Sequence, residues 1–277
     1  MPSLFPPVRR CAPRAVLLVL AASLGCADGD DAPPAEADPP PAPTSALVNL
    51  LSDGAAVFGI FSGEHTPEQG AAMAENREID FVFYSLEQGP FDLETMQSYR
   101  RAMDDASQSM GLAPHPVALR IPPIRDGHEE AREKTAMALE AGVDAVVFPH
   151  VTTSAEAALA VEAMGPSHWP GNRSGSLVSM LIVEDREGVE NVIEVMGTDG
   201  LSVVFAGPGD LRRSYEGDME AVEAAIQSVL SACKEFGVPC GITAGADDIS
   251  ERIDQGFRVI IVTDPAALAV GRAAAGR

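Results

Sequence analysis

Two carboxylates follow directly on two apolar segments of this chain. Glu184 directly follows the segment 177–183, and Asp210 lies in a Gly-Pro-Gly-Asp-Leu sequence that follows the segment 201–206. Continuous apolar segments separated by one helical segment are typical of buried parallel strands. Both carboxylates then emerge at the carboxyl edge of the sheet, where they suit a hard divalent cation such as Mg or Mn. The alternative is that each carboxylate only caps the helix that follows it.

Further polar side chains stand at the ends of the other apolar segments. They are Glu64, His65, Glu87, Gln88 and His150. Arg120 interrupts the apolar sequence Val-Ala-Leu-Arg-Ile-Pro-Pro, which favours a guanidinium that faces a cavity and binds a carboxylate through two hydrogen bonds over a purely structural ion pair. Taken singly, each histidine is more often a hydrogen-bonded loop residue than a catalyst. His128 is predicted in the first turn of a helix, and His115 and His168 in loops.

Strand and helix patterns alternate through residues 45–277. The predicted strands are 57–61, 80–86, 117–121, 145–148, 177–183, 201–206, 239–242 and 258–262. The predicted helices are 46–52, 66–76, 93–110, 126–140, 154–164, 187–196, 220–236, 247–254 and 265–274, and Asp126 with Glu129 forms a capping box for the fourth of them. Eight such units in about 230 residues predict an α/β fold, a (β/α)8 TIM barrel. An open doubly wound sheet is the alternative, weakened because no Gly-x-Gly-x-x-Gly turn follows the first strand.

The N-terminal segment has the pattern of an export signal. Residues 1–26 combine arginines, about ten apolar residues and a lipobox-like end at Cys26, which predicts a lipidated cysteine; ordinary signal cleavage and an uncleaved tail are the alternatives. Residues 27–44 are rich in Pro, Ala and Asp and predict a disordered tether. We therefore expect an exported lipoprotein of a bacterial cell envelope, on the periplasmic side or the surface, whose only membrane contact is its N-terminal anchor.

Charge and cysteine content narrow the partners. The formal charge of −22 over 277 residues repels phosphate backbones, so nucleic acid is not expected to bind. Cys233 and Cys240 are the cysteines of the globular part. One lies in a predicted helix and the other at a strand start, which favours two buried free thiols over a disulfide.

Five segments of the chain, in order, resemble the HpcH/HpaI aldolase family. They are 80–92, 119–122, 141–151, 183–191 and 207–211, and the resemblance extends from residue 46 to the C-terminus. It implies a metal-dependent class II pyruvate aldolase on a barrel of the phosphoenolpyruvate/pyruvate-aldolase type, assembled as a trimer or hexamer. Glu184 and Asp210 match the ligands of Mg, Mn or Co. Arg120 matches the residue that holds the carboxylate and developing enolate of a 2-oxo acid, and Gly209 and Asp210 are expected beside that substrate.

Departures from the family pattern concern proton transfer. The family's Asp-x-Glu-His-Gly sequence is replaced by Ser85-Leu-Glu-Gln88-Gly, and Ile182 stands where a substrate-contacting glutamine is usual. Glutamine cannot exchange a proton in the useful pH range, so Gln88 occupies the catalytic position without its usual chemistry. We expect His65 or metal-bound water to replace the missing acid/base group. We expect a lyase that cleaves or forms a carbon–carbon bond in a 2-oxo acid. The alternatives are a non-catalytic, lipid-tethered carboxylate binder and a structural envelope protein.

Overall fold

Eight parallel strands close into a barrel in the computed structural model, which describes residues 45–277. Within these residues the sheet has nine strands, the eight of the barrel and the short β5: β1 Val57–Phe61, β2 Phe81–Ser85, β3 Val117–Arg120, β4 Ala145–Phe148, β5 His168–Trp169, β6 Leu177–Val183, β7 Val203–Ala206, β8 Cys240–Ala244 and β9 Val259–Val262. β1 pairs with β9, and β4 pairs with β6, which closes the barrel; the two-residue β5 is added beside β6. The predicted TIM barrel is confirmed. The predicted signal segment, the tether and Cys26 lie outside the described residues.

Helices surround the barrel, and all but the first follow its strands along the chain. They are α1 Ala46–Ser52, α2 Pro67–Glu75, α3 Leu93–Ser109, α4 His128–Glu140, α5 Ser154–Ala163, α6 Arg186–Glu190, α7 Val192–Met196, α8 Pro208–Ser214, α9 Met219–Phe236, α10 Ile249–Gln255 and α11 Ala266–Ala274. Within the described residues, every helix is too short or too polar to cross a lipid bilayer.

The apolar core forms two layers because successive side chains of a strand point to opposite faces. One set packs against the helices, and the other fills the barrel interior. Leu47, Val48 and Leu51 of α1 belong to the interior set together with Val57 and Val259, the first residues of β1 and β9. The helix α1 therefore closes the amino end of the barrel, and the opposite end stays open for a site.

Local structure differs from the sequence predictions at several positions. The predicted capping box at Asp126 is wrong: a 3-10 turn at Ile124–Asp126 precedes α4, whose N-cap is Gly127 and carries no side-chain cap. The single helix predicted over 187–196 breaks at Asn191. The side-chain Nδ2 of Asn191 donates a hydrogen bond to the carbonyl of Thr152 at 3.0 Å. The prediction that His168 lies in a loop is wrong, since it belongs to β5 and pairs with Leu177 of β6.

The two cysteines of the barrel agree with the prediction. Cys233, in α9, and Cys240, at the start of β8, are both buried and unbridged. Burial raises the pKa of the Cys240 thiol far above its usual range, which keeps the thiol protonated. The pair therefore behaves as part of the apolar packing between α9 and the sheet.

Candidate functional site

A cavity of about 240 Å³ opens at the carboxyl ends of the strands. Its apolar floor consists of barrel-interior side chains, Phe83, Ile182, Phe205 and Ile261. Its polar lining consists of Arg120, Glu184, Asp210, Thr243 and Thr263, with Gly209 beside them. The structure thus brings together the four residues that the sequence analysis assigned to cation and substrate binding, which are Arg120, Glu184, Gly209 and Asp210.

Glu184 is a buried carboxylate that stands directly after β6, only 3% exposed. Burial, together with the negative charge of Asp210, raises the pKa of Glu184 to about 7, although His150 opposes the shift. Gly207 makes room for it, because a Cβ atom there would lie 2.5 Å from Glu184 Oε2. A buried carboxylate that faces a second carboxylate is the donor set expected for a divalent cation.

Asp210 lies in the first turn of α8, which the sequence analysis did not predict as a helix. Its carboxylate pairs with the guanidinium of Arg213, one turn further along the same helix. The capping alternative fails for both carboxylates. The N-cap residues of α6 and α8 are Asp185 and Gly207, neither helix has a side-chain cap, and Glu184 Oε1 instead accepts from the backbone N–H of His150 at 3.0 Å.

Arg120 both faces the cavity and forms a structural ion pair, two arrangements that the sequence analysis set against each other. Its Nη2 lies 2.9 Å from Glu87 Oε2, and its Nε donates to Ser85 Oγ at 3.0 Å. The guanidinium also lies 5.3 Å from the centre of the Phe83 ring and lines the cavity. The ion pair with Glu87, which does not line the cavity, fixes the position of the guanidinium. Arg120 therefore presents a preorganised positive charge to the cavity.

His150, which follows β4, connects carboxylates that follow β2 and β6, a network that the sequence analysis missed. Its Nδ1 lies 3.0 Å from Asp185 Oδ2, and its Nε2 lies 3.4 Å from Glu87 Oε1. The hydrogen bond to Glu87 is the largest cause that raises the pKa of His150 to about 9, so the imidazole is charged at neutral pH. The same contact lowers the pKa of Glu87. The signal in the sequence was the position of His150 immediately after β4.

His150 also has an unusual backbone conformation. Its φ of 55° lies in the left-handed region, which costs a non-glycine residue of order 1 kcal/mol or more. This conformation accompanies the hydrogen bond from its backbone N–H to Glu184. The strained residue therefore positions the carboxylate that lines the cavity.

Two donor sets share Glu184. The first is the carboxylate pair with Asp210, and the second is the group of Glu87, His150 and Glu184, whose donor atoms lie within 4.8 Å of one another. Glu87 is already paired with Arg120, and the imidazole is held charged, so the second set needs a proton removed before it binds a metal. The carboxylate pair lines the cavity and supplies the oxygen atoms that Mg and Mn prefer.

His65 and Gln88 are not brought into the cavity. His65 is exposed after β1 and stacks on Tyr84, with ring centres 3.9 Å apart. Partial burial lowers the pKa of His65, and the negative charge of Asp92 opposes the shift. Gln88 is exposed after β2. Tyr84 belongs to the layer outside the barrel, so His65 lies on the opposite side of β2 from the cavity.

Comparison with known proteins identifies one family across most of the chain. Residues 58–262 match HpcH/HpaI aldolase/citrate lyase. A hydroxypyruvate/pyruvate aldolase of Paraburkholderia phytofirmans is 24% identical over 246 residues, which are 78% of this chain and 90% of that protein. A hydroxypyruvate/pyruvate aldolase of Sagittula stellata is 27% identical over 194 residues, which are 61% of this chain and 72% of that protein.

Solved structures show the same fold. An HpcH/HpaI aldolase/citrate lyase family protein from Burkholderia cenocepacia superposes with a TM-score of 0.68 at 23% identity, over 82% of this chain and 95% of that one. A citrate lyase beta subunit from M. tuberculosis, solved with oxaloacetate and magnesium, gives a TM-score of 0.59 at 19% identity, over 83% of this chain and all of that one (100%).

Proposed function

The chain belongs to the HpcH/HpaI aldolase/citrate lyase family, and from this premise we propose a divalent-metal-dependent lyase that cleaves or forms a carbon–carbon bond in a 2-oxo acid through a pyruvate enolate. The observation that carries the proposal is the convergence of Glu184, Asp210 and Arg120 on one cavity at the carboxyl edge of the barrel. Relatives named hydroxypyruvate/pyruvate aldolase support a 2-oxo acid as the substrate class.

Each side chain of the cavity has a defined part in this proposal. Glu184 and Asp210 hold the cation, which when bound supplies a Lewis acid for the substrate's oxo group. Arg120, fixed by Glu87 and Ser85, binds the substrate carboxylate and stabilises the negative charge that develops beside it. The apolar floor around Phe83 and Phe205 packs against the carbon chain and excludes water, which strengthens these electrostatic interactions.

A second function is favoured by one observation, the identity and exposure of residue 88. Gln88 cannot accept a proton, and neither it nor His65 lines the cavity. The alternative is a barrel that binds a small carboxylate with the cation but does not turn it over. Both functions use the same three cavity residues, so binding experiments alone do not separate them.

The cellular setting of the proposed enzyme comes from the sequence. We propose export by residues 1–26, anchoring through lipidated Cys26 and a tether over 27–44. Assembly as a trimer or hexamer is proposed from the family resemblance.

Proton exchange at the pyruvate methyl group tests catalysis. We expect proton NMR in deuterium oxide to show loss of the methyl signal only when Mg, which is diamagnetic, is present, and not with Glu184→Gln. Glu194→Gln, which changes an exposed carboxylate of α7, is the matched control and should exchange like the wild type. Oxalate binding with Mn but no exchange would support the non-catalytic alternative.

A further inference from the structure

We propose that Arg213 recognises a second anionic group on the substrate, after a divalent cation displaces it from Asp210. The inference rests on the proposed function and narrows its substrate class to 2-oxo acids that carry a further carboxylate or an equivalent anion. It assigns a specificity-determining role to a residue outside the cation and carboxylate sites described above.

The position of Arg213 places it at the mouth of the cavity. It follows Asp210 by three residues in α8, and a spacing of three puts two side chains on the same face of a helix. The guanidinium pairs with the Asp210 carboxylate, yet the Arg213 side chain is 74% exposed. Its positive charge also acts on Glu87, whose pKa it helps to lower. Arg213 therefore lies at the carboxyl edge, within electrostatic range of both sides of the cavity.

The neighbouring arginines differ in what they are paired with. Arginines gather at this edge although the chain carries a net charge of −22; they are Arg120, Arg125, Arg186, Arg212 and Arg213. Arg120 pairs with Glu87 at 2.9 Å and Arg125 with Asp185 at 3.0 Å, while Arg186 lies 4.6 Å from the centre of the Tyr215 ring. None of these partners is Glu184 or Asp210. Arg213 alone among the five is paired with a proposed cation ligand within the described residues.

Cation binding at Asp210 therefore removes the ion-pair partner of Arg213. The Asp210 carboxylate cannot give its full charge to a divalent cation and to a guanidinium at once, so the two compete for it. Once the cation holds Asp210, the guanidinium is left at the mouth of the cavity without an anionic partner. A guanidinium in that state binds a carboxylate through two charge-assisted hydrogen bonds. A 2-oxo acid held at Arg120 and extending out of the cavity presents its far end to Arg213.

Arg212 supplies a matched control for the first test. It has the same charge, lies in the same helix and is also exposed, but it follows Asp210 by two residues and so lies on another face. Calorimetry with Mn alone should show about two- to fivefold tighter binding for Arg213→Ala than for the wild type, because an exposed competing ion pair is removed. Arg212→Ala should change Mn affinity less than twofold. Equal effects of the two variants, or weaker Mn binding by Arg213→Ala, would overturn the competition.

Substrate-like probes test the second step. At saturating Mn, displacement of oxalate should show about tenfold preference for 2-oxoglutarate over 2-oxopentanoate, which has the same length and lacks the second carboxylate. Arg213→Ala should lose this preference and keep its oxalate affinity, and Arg212→Ala should retain both. Absence of the preference in the wild type, or its survival in Arg213→Ala, contradicts the inference while oxalate binding upholds the proposed function. Failure of oxalate to bind with Mn would overturn both.

Discussion

The two ends of the barrel hold a histidine in opposite charge states. At the amino end, His168 is 4% exposed, and its Nε2 lies 2.9 Å from both Ser179 Oγ and Ser202 Oγ. Burial lowers the pKa of His168 to about 4, so the ring is neutral. At the carboxyl end, the carboxylates of Glu87, Glu184 and Asp185 raise the pKa of His150 to about 9. Neutral hydroxyl partners make one histidine part of the packing, and acidic partners make the other part of an electrostatic site.

The rest of each end follows the same division. Leu47, Val48 and Leu51 of α1 close the amino end with apolar side chains. The carboxyl end is left open and carries the buried carboxylate Glu184 next to Asp210, an arrangement that costs stability when no cation is bound. This division matches the general separation in TIM barrels between an end that stabilises the fold and an end that carries function.

The largest expected effect falls on the carboxyl end. Glu184→Gln and Asp210→Ala should each weaken Mn binding by at least about 100-fold, because each removes one of the two proposed protein ligands. Both proteins should stay folded, since neither residue caps a helix. Calorimetry with Mn measures the affinity, and the amino-end variant His168→Leu should bind Mn like the wild type. Unchanged affinity in both carboxylate variants would refute the division of the two ends.

The next largest effect concerns anion binding by Arg120, at the same carboxyl end of the barrel. Arg120→Lys should weaken oxalate binding at saturating Mn by about tenfold or more, because an ammonium group cannot form the planar two-bond contact of a guanidinium. Mn affinity itself should change less than twofold, since Arg120 pairs with Glu87 rather than with either proposed ligand. Oxalate affinity equal to that of the wild type would remove Arg120 from substrate binding.

At the amino end, the expected effect is on stability alone. His168→Leu leaves the hydroxyls of Ser179 and Ser202 without their imidazole partner inside the core and should cost about 1–3 kcal/mol of unfolding free energy. Urea unfolding measures this loss, with Mn and oxalate affinities as the readout for the other end. A variant that keeps its stability but loses Mn binding would show that the ends are not separate.

The smallest effect sharpens the comparison through pH. The folded pKa of His168, about 4, lies below its ordinary 6.5, so the unfolded state binds more protons between these values and stability falls as pH drops through that window. His168 should contribute about 1 kcal/mol of loss between pH 7 and 5.5, absent in His168→Leu. His150 has the opposite sign: its raised pKa stabilises below 6.5, and that contribution is lost as pH rises through about 9. Parallel stability curves for the wild type and His168→Leu over pH 7 to 5.5 would contradict the neutral state of His168.

The barrel and the core of the candidate site followed from the sequence because both depend on local pattern. Apolar segments of four to seven residues located each of the eight barrel strands to within a few positions, although not the two-residue β5, and parallel strands necessarily bring Arg120, Glu184 and Asp210 to one edge. The short helix α8 escaped prediction because Gly207-Pro208-Gly209 is typical of a turn, although proline is favoured at a first helical position.

The electrostatic network was not predictable in the same way. His150 meets Glu87 and Asp185 only because β4 pairs with β6 and β2 lies two strands from β4, contacts that join residues far apart in the chain. The position of His65 depends on the conformation of the segment after β1, which packs the ring on Tyr84 and away from the cavity. Loop conformations of this kind have no periodic signal in the sequence.

Anomalous diffraction from crystals grown with Mn and oxalate tests the central claim most directly, because it shows which of the two donor sets that share Glu184 holds the cation. The account predicts one strong peak within about 2.0–2.6 Å of carboxylate oxygens of both Glu184 and Asp210, with oxalate reaching Arg120. A peak between Glu87 and His150 instead, or no peak at this end of the barrel, would contradict it.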